Sequence, residues 1–144
     1  MSKLLEPYDA IAWDLDGTLI GGDNAPYLRA CILAWPNKRH HAVTFRTGDD
    51  WIAHTRFELA SLGLGPDVIS SISHVPDAYY HAYAQRQVFP DDERVDLFYK
   101  WKGLEAARLG CGVLVDDLAA LVLPGCRQYG VAFVDANDPA IRER

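Results

Sequence analysis

Cysteine is scarce in this chain, with three in 144 residues. Cys31, Cys111 and Cys126 lie far apart with no CxxC spacing, so neither a disulfide framework nor a zinc site is suggested, and the three read as reduced, packed thiols. Long apolar runs are missing too. No stretch approaches the roughly 20 apolar residues of a membrane helix, and Met1 to Asp9 lacks the hydrophobic core of a signal peptide, so the expectation is a cytoplasmic protein with no membrane partner. Positive charge is in deficit: 14 Lys+Arg against 20 Asp+Glu give a net charge of −6. That balance argues against broad binding of nucleic acid, which then enters only as a phosphorylated substrate at a local basic site. There is no internal repeat, low-complexity tract or linker. With 49% hydrophobic and 24% charged residues, the composition fits one globular domain over residues 1–144.

What is present alternates. Apolar runs at Ala10 to Trp13, Ala42 to Phe45, Val68 to Ile72, Gly112 to Val115 and Val131 to Val134 read as buried strands. Between and after them, Pro26 to Ala34, Trp51 to Leu62, Pro76 to Gln87, Arg94 to Leu109 and Leu118 to Tyr129 carry helical spacing, the last interrupted at Pro124. Five repeats of strand and helix without hairpin signals predict an α/β fold: a three-layer α/β/α sandwich on a parallel, Rossmann-like sheet. Ligands in such sheets collect outside the carboxyl ends of the strands. Three of those ends are polar: Asp14 and Asp16 after the first run, Thr44 and Arg46 at the second, Asp116 and Asp117 at the fourth.

The string Asp14-Leu15-Asp16-Gly17-Thr18-Leu19 is the most specific of these. Leu15 can turn into the core while both acids face the site, and Gly17 permits a tight turn whose N–H groups can meet an anion. Asp116-Asp117, two adjacent acids at the end of a buried strand, would repel each other without a cation, and a hard dication such as Mg²⁺ is the usual remedy. Lys100 and Lys102 precede that strand, and either could offset the charge.

The six-residue string resembles the first motif, DxDG[TV][LV], of the haloacid dehalogenase (HAD) superfamily. Thr44, the lysine and the acid pair resemble the three motifs that follow it in the same order, so the likeness runs from Ala10 to about Val134. The resemblance implies an HAD-like hydrolase: a Mg²⁺-dependent phosphomonoesterase working through an aspartyl-phosphate. It implies Asp14 as the nucleophile, Asp16 as the general acid/base, and Thr44 and the lysine, with Lys102 preferred over Lys100, as catalytic groups on the phosphoryl oxygens. Gly17 and Arg46 join Thr44 and Lys102 as candidate phosphate contacts. For the metal it implies a carboxylate oxygen of Asp14, the backbone carbonyl of Asp16 and the carboxylate of Asp117, with Asp116 in an outer role.

The chain departs from the family at Phe45, where Asn or Gly is common, and Thr47 is a candidate substitute for Thr44. No room is left for a cap domain. The site is therefore expected to be open, walled by Leu19 to Ala25, Arg46 to Trp51 and Leu118 to Leu121, and suited to a larger phosphorylated substrate or to cover by a second copy in a homo-oligomer. Trp51, Tyr79, Tyr80 and Tyr83 could stack on a substrate or belong to core or interface. The competing readings are a non-catalytic phosphate-binding scaffold and a phosphotransferase.

Overall fold

The computed structural model describes residues 1–144. Its elements run β1 (Ala10–Trp13), α1 (Ala25–Ala34), β2 (Arg39–Thr44), α2 (Asp49–Ser61), β3 (Ser71–His74), α3 (Asp77–Ala84), α4 (Glu93–Arg108), β4 (Val113–Asp116), α5 (Ala119–Tyr129) and β5 (Ala132–Asp135), then a 3₁₀ turn, Pro139–Arg142. The five strands form one sheet in the order β3-β2-β1-β4-β5, and every pair is parallel. The chain therefore winds outward from β1 in one direction, crosses back, and continues from β4 in the other. The crevice at this reversal lies beyond the carboxyl ends of β1 and β4. Trp13 is in register with Val115, so the next residues of the two strands, Asp14 and Asp116, emerge side by side.

Strand alternation sorts the core into two layers. Ile11 and Trp13 face one side, where Leu28 and Ile32 of α1 and Leu59 of α2 cover them. Ala10 and Ala12 face the other, under Phe98 and Trp101 of α4 and Val122 of α5. Side chains that alternate in this way require helices on both faces, which gives the three layers expected from the sequence. All three cysteines are free and buried. No helix is long and apolar enough to cross a membrane.

Two expectations need correction. The third strand occupies Ser71–His74 rather than Val68 to Ile72. Ile69, with Val68 packed alongside, sits in a turn that points into the core below α2, so an apolar run marked burial there without marking a strand. Helix α5 also passes through Pro124 unbroken. A proline in a helix removes one N–H donor and crowds the preceding turn, but here the next residue is Gly125, which lets the α5 backbone press against α4. A Cβ at Gly125 would lie 2.8 Å from Lys100 Cα, and one at Gly103 would overlap the backbone of Gly125. The tight crossing holds the helix in place.

Candidate active site

Asp14 is the first residue beyond β1, and its N–H donates to Val115 O at 2.9 Å. That bond fixes it in line with β4 and leaves the carboxylate buried. Asp116 ends β4 with no exposure at all. Between them stands Lys102 of α4, whose Nζ donates to Asp14 Oδ1 at 2.7 Å and to Asp116 Oδ2 at 2.7 Å. Lys100 turns outward instead and pairs with Asp96 one turn earlier on α4. Of the two candidate lysines, only Lys102 reaches the acids.

The other oxygens of the pair are also engaged. Thr18 Oγ1 donates to Asp14 Oδ2 at 2.9 Å, and Leu118 N–H donates to Asp116 Oδ1 at 2.9 Å. Asp117 differs. Its Oδ1 is buried without a hydrogen-bond partner, and its carboxylate lies with those of Asp14 and Asp116 in a cluster whose nearest oxygens are all within 4.8 Å of one another. The Asp16 carboxylate is outside this group, so any part it takes in holding a metal falls to its main chain.

Three carboxylates and one ammonium leave a formal charge of −3 + 1 = −2 in a largely buried space. The titration behaviour reflects this. Burial pushes the Asp14 carboxyl up to about 6, against the opposing pull of Lys102, and the nearby Asp117 adds to the rise. Asp116 is raised for the same first reason, burial, again opposed by Lys102. Burial disfavours the Lys102 ammonium as well, but Asp14 and Asp116 outweigh it and the net shift is upward. An all-oxygen donor set, a deficit of two charges and an unpartnered carboxylate oxygen fit a hard dication such as Mg²⁺.

Gly17 closes the loop under this cluster. It adopts φ +84°, and a Cβ there would overlap the Asp117 carboxylate. Its N–H donates to Ile20 O at 2.8 Å, which ties the turn, so the Asp117 carboxylate is the side that must move. Gly17→Ala is expected to cost about 1–3 kcal/mol, read as a lower melting temperature, and to weaken Mg²⁺ binding by displacing Asp117. A variant that melts and binds Mg²⁺ like the parent would show that this approach is not needed.

The remaining candidates lie at the mouth. Thr44, the last residue of β2, is buried, and its Oγ1 accepts the Arg46 N–H at 3.1 Å. Thr47, its candidate substitute, turns its hydroxyl toward α3, where Val75 O at 3.0 Å and the Asp77 carboxylate share it. Arg46 is largely buried, and its guanidinium grips Asp16 through both oxygens, Nε to Oδ2 at 2.9 Å and Nη2 to Oδ1 at 2.7 Å. Glu58 at 2.8 Å and Thr55 at 3.3 Å hold the same guanidinium from α2. Asp16 itself is exposed, with 61% of its side chain accessible. The sequence marked both residues but not their pairing.

A cavity of about 420 Å³ opens beside them, lined by Asp16, Phe45, Arg46, Thr47, Trp51 and Tyr80. Of the expected walls only Arg46 to Trp51 contributes; Leu19 to Ala25 and Leu118 to Leu121 do not line this cavity, and Phe45 and Tyr80 do. Tyr80 comes from α3. Tyr83 is core instead, stacked on Phe98 with ring centroids 4.2 Å apart, and Tyr79 packs on the same layer.

No family model and no curated protein matches the chain. Among solved structures it is similar to an uncharacterized protein from Corynebacterium glutamicum ATCC 13032 Kitasato, with 20% identity, a TM-score of 0.49, and coverage of 88% of this chain and 83% of that one.

Proposed function

We propose that the chain is a Mg²⁺-dependent phosphomonoesterase of the HAD type, with Asp14 as nucleophile. The observation that carries this reading is Lys102, fully buried and bonded to Asp14 and Asp116, next to the unpartnered oxygen of Asp117. A purely structural role explains it poorly, because three acids around one lysine are more costly to bury than an apolar cluster of the same size. A site that must receive a dication and a phosphoryl group needs that excess of negative oxygen before they arrive.

Asp14 and Asp117 would hold the ion through carboxylate oxygens and Asp16 through its backbone carbonyl, while Asp116, the most deeply buried of the acids, orients Lys102. Mg²⁺ would supply charge neutralisation for the phosphoryl oxygens and for the acids themselves. The chain's own groups do the rest. Asp14 attacks phosphorus and the ester P–O bond breaks; for Asp16 to give its proton to the departing oxygen, its carboxyl must carry that proton and turn out of the Arg46 fork that grips it in this structure. Asp16 then takes a proton from water as that water attacks the aspartyl-phosphate, which releases inorganic phosphate and restores Asp14. Lys102 keeps Asp14 aimed, and the Thr44 hydroxyl offers a donor to the phosphoryl oxygens, whereas the Gly17 N–H, a candidate phosphate contact, is already committed to Ile20 O. Arg46, itself held by Glu58 and Thr55, fixes Asp16 at the mouth.

The test is phosphate release from p-nitrophenyl phosphate. Release is expected with Mg²⁺, loss with EDTA, recovery on adding Mg²⁺ back, and little support from Ca²⁺, whose longer bonds and higher coordination disturb in-line geometry. Release indifferent to chelation overturns the reading. Absence of release under every condition, with Mg²⁺ still bound, makes the chain a phosphate-binding scaffold instead.

Metal binding also has a readout without turnover. Asp14 is raised from 3.8 to about 6, so its neutral form is the one the fold favours; that contribution to stability is present below about pH 4 and lost as pH rises through 6. A bound dication reverses the loss. A fixed Mg²⁺ concentration, 100 times its Kd at pH 7.5, is expected to raise the melting temperature by about 5–10 °C at pH 7.5 and by less at pH 5, where protonated Asp14 weakens binding. An equal shift at both pH values would detach the effect from Asp14.

A further inference from the structure

The cavity at the mouth has a polar side and an aromatic side. Asp16 and Arg46 form the first; Phe45, Trp51 and Tyr80 form the second. Exposure alone would not single these rings out, since Phe57 and Phe89 are more exposed than either Trp51, at 47%, or Tyr80, at 39%. Their distinction is that they face the same space as the acid that is to protonate the leaving oxygen.

Each ring is held in place. Phe45 stacks on Phe98 at 4.3 Å between centroids, and Lys102 Nζ lies 4.2 Å from its centroid, so this ring reaches from the buried cluster to the cavity wall. The Arg46 guanidinium covers Trp51 at 4.8 Å, and His54 meets the same indole edge-on at 5.5 Å. Tyr80 meets Phe98 edge-on at 6.4 Å. Rings fixed in this way need little ordering when a ligand arrives, and their faces and edges favour another flat ring over a saturated group of equal size.

We propose that this cavity is the leaving-group subsite, and that Phe45, Trp51 and Tyr80 select phosphate monoesters whose leaving group carries an aromatic ring directly on the ester oxygen or one methylene away. The short spacing follows from Asp16, which shares the cavity with the rings and must reach that same oxygen. The inference rests on the phosphomonoesterase reading. Phe45 then acquires a reason: a small residue after Thr44 would remove the wall nearest the reacting atoms.

Benzyl phosphate against cyclohexylmethyl phosphate provides the test. Both esters release a primary alcohol and fill similar space, so leaving-group acidity does not bias the comparison, and only flatness differs. The parent enzyme is expected to favour the benzyl ester in kcat/KM by about tenfold. Trp51→Leu and Tyr80→Leu should each reduce that ratio severalfold, whereas Trp51→Phe, which keeps a ring, should retain most of it. A parental ratio near one, with both esters turned over, overturns the subsite and leaves the phosphomonoesterase reading standing. Turnover of no ester overturns that reading, and the subsite is then decided by calorimetry with benzylphosphonate and cyclohexylmethylphosphonate in the presence of Mg²⁺. Tighter binding of the benzyl compound that falls in Trp51→Leu supports it, and equal or absent binding refutes it.

Discussion

Asp14→Asn is expected to lower phosphate release by at least about 10⁴-fold while the protein stays folded. The amide keeps the outline of the carboxylate, so its Oδ1 can still accept from Lys102 while its NH₂ group faces the Thr18 hydroxyl, which can turn to accept instead of donate. What disappears is the nucleophilic oxygen and one unit of a crowded negative charge. Burial already pushes this carboxyl up to about 6, so at pH 7.5 the variant should melt at or above the parent's temperature. Loss of activity together with retained stability is the signature of a group kept for chemistry at some cost to the fold. Activity near the parent's in the folded variant would remove Asp14 as the nucleophile.

Lys102→Met has the opposite profile. Methionine nearly matches the volume but leaves Asp14 and Asp116 buried without their shared cation, and breaking a buried pair in this way costs about 3–5 kcal/mol. For a chain of this length the melting temperature should fall by about 10 °C or more. The sign with pH follows from the two acids. Both are raised by burial already and lose a group that opposes the rise, so the fold favours their neutral forms more strongly, and stability returns as pH falls and is lost as it climbs. The deficit relative to the parent should therefore be smaller at pH 5 than at pH 7.5. Lys100→Ala, which removes only an exposed contact to Asp96, is expected to match the parent in melting and in rate. If Lys100→Ala were the damaging substitution, the placement of α4 against the acids would be wrong.

The contrast between these lysines shows what the sequence carries and what it does not. Lys100 and Lys102 differ by two residues, about 200° around a helix, and the bare spacing of lysine to acid pair permits either. Packing decides, because the face bearing Phe98, Trp101 and Lys102 is the one turned to the sheet. The two acid strings were legible for a different reason: each directly follows an apolar strand, so position along the chain already implies position at one end of the sheet. Arg46 and Asp16 are 30 residues apart, and no local pattern reports their bidentate contact. Phe45 stood out only as a departure from a resembled motif, and its place between Phe98, Lys102 and the cavity is set by packing that the sequence does not report. The third strand was misplaced because Ser71-Ile72-Ser73-His74 alternates in polarity as a sheet edge does, whereas the more apolar residues before it fill a turn.

The crossing of α4 and α5 at Gly103 and Gly125 gives those two positions an influence disproportionate to their size. Neither glycine touches the acids, yet Gly103 is the neighbour of Lys102, and the spacing between the helices sets how far the lysine stem extends toward the sheet. The two backbones act as a mechanical stop. A methyl group at either position would prise the helices apart and draw the ammonium back from contacts that are 2.7 Å long. The alignment of Asp14 would then loosen although no residue around it had changed. The geometry of the acid cluster is thus set partly by a helix contact outside it, where a change as small as alanine for glycine forces two backbones apart.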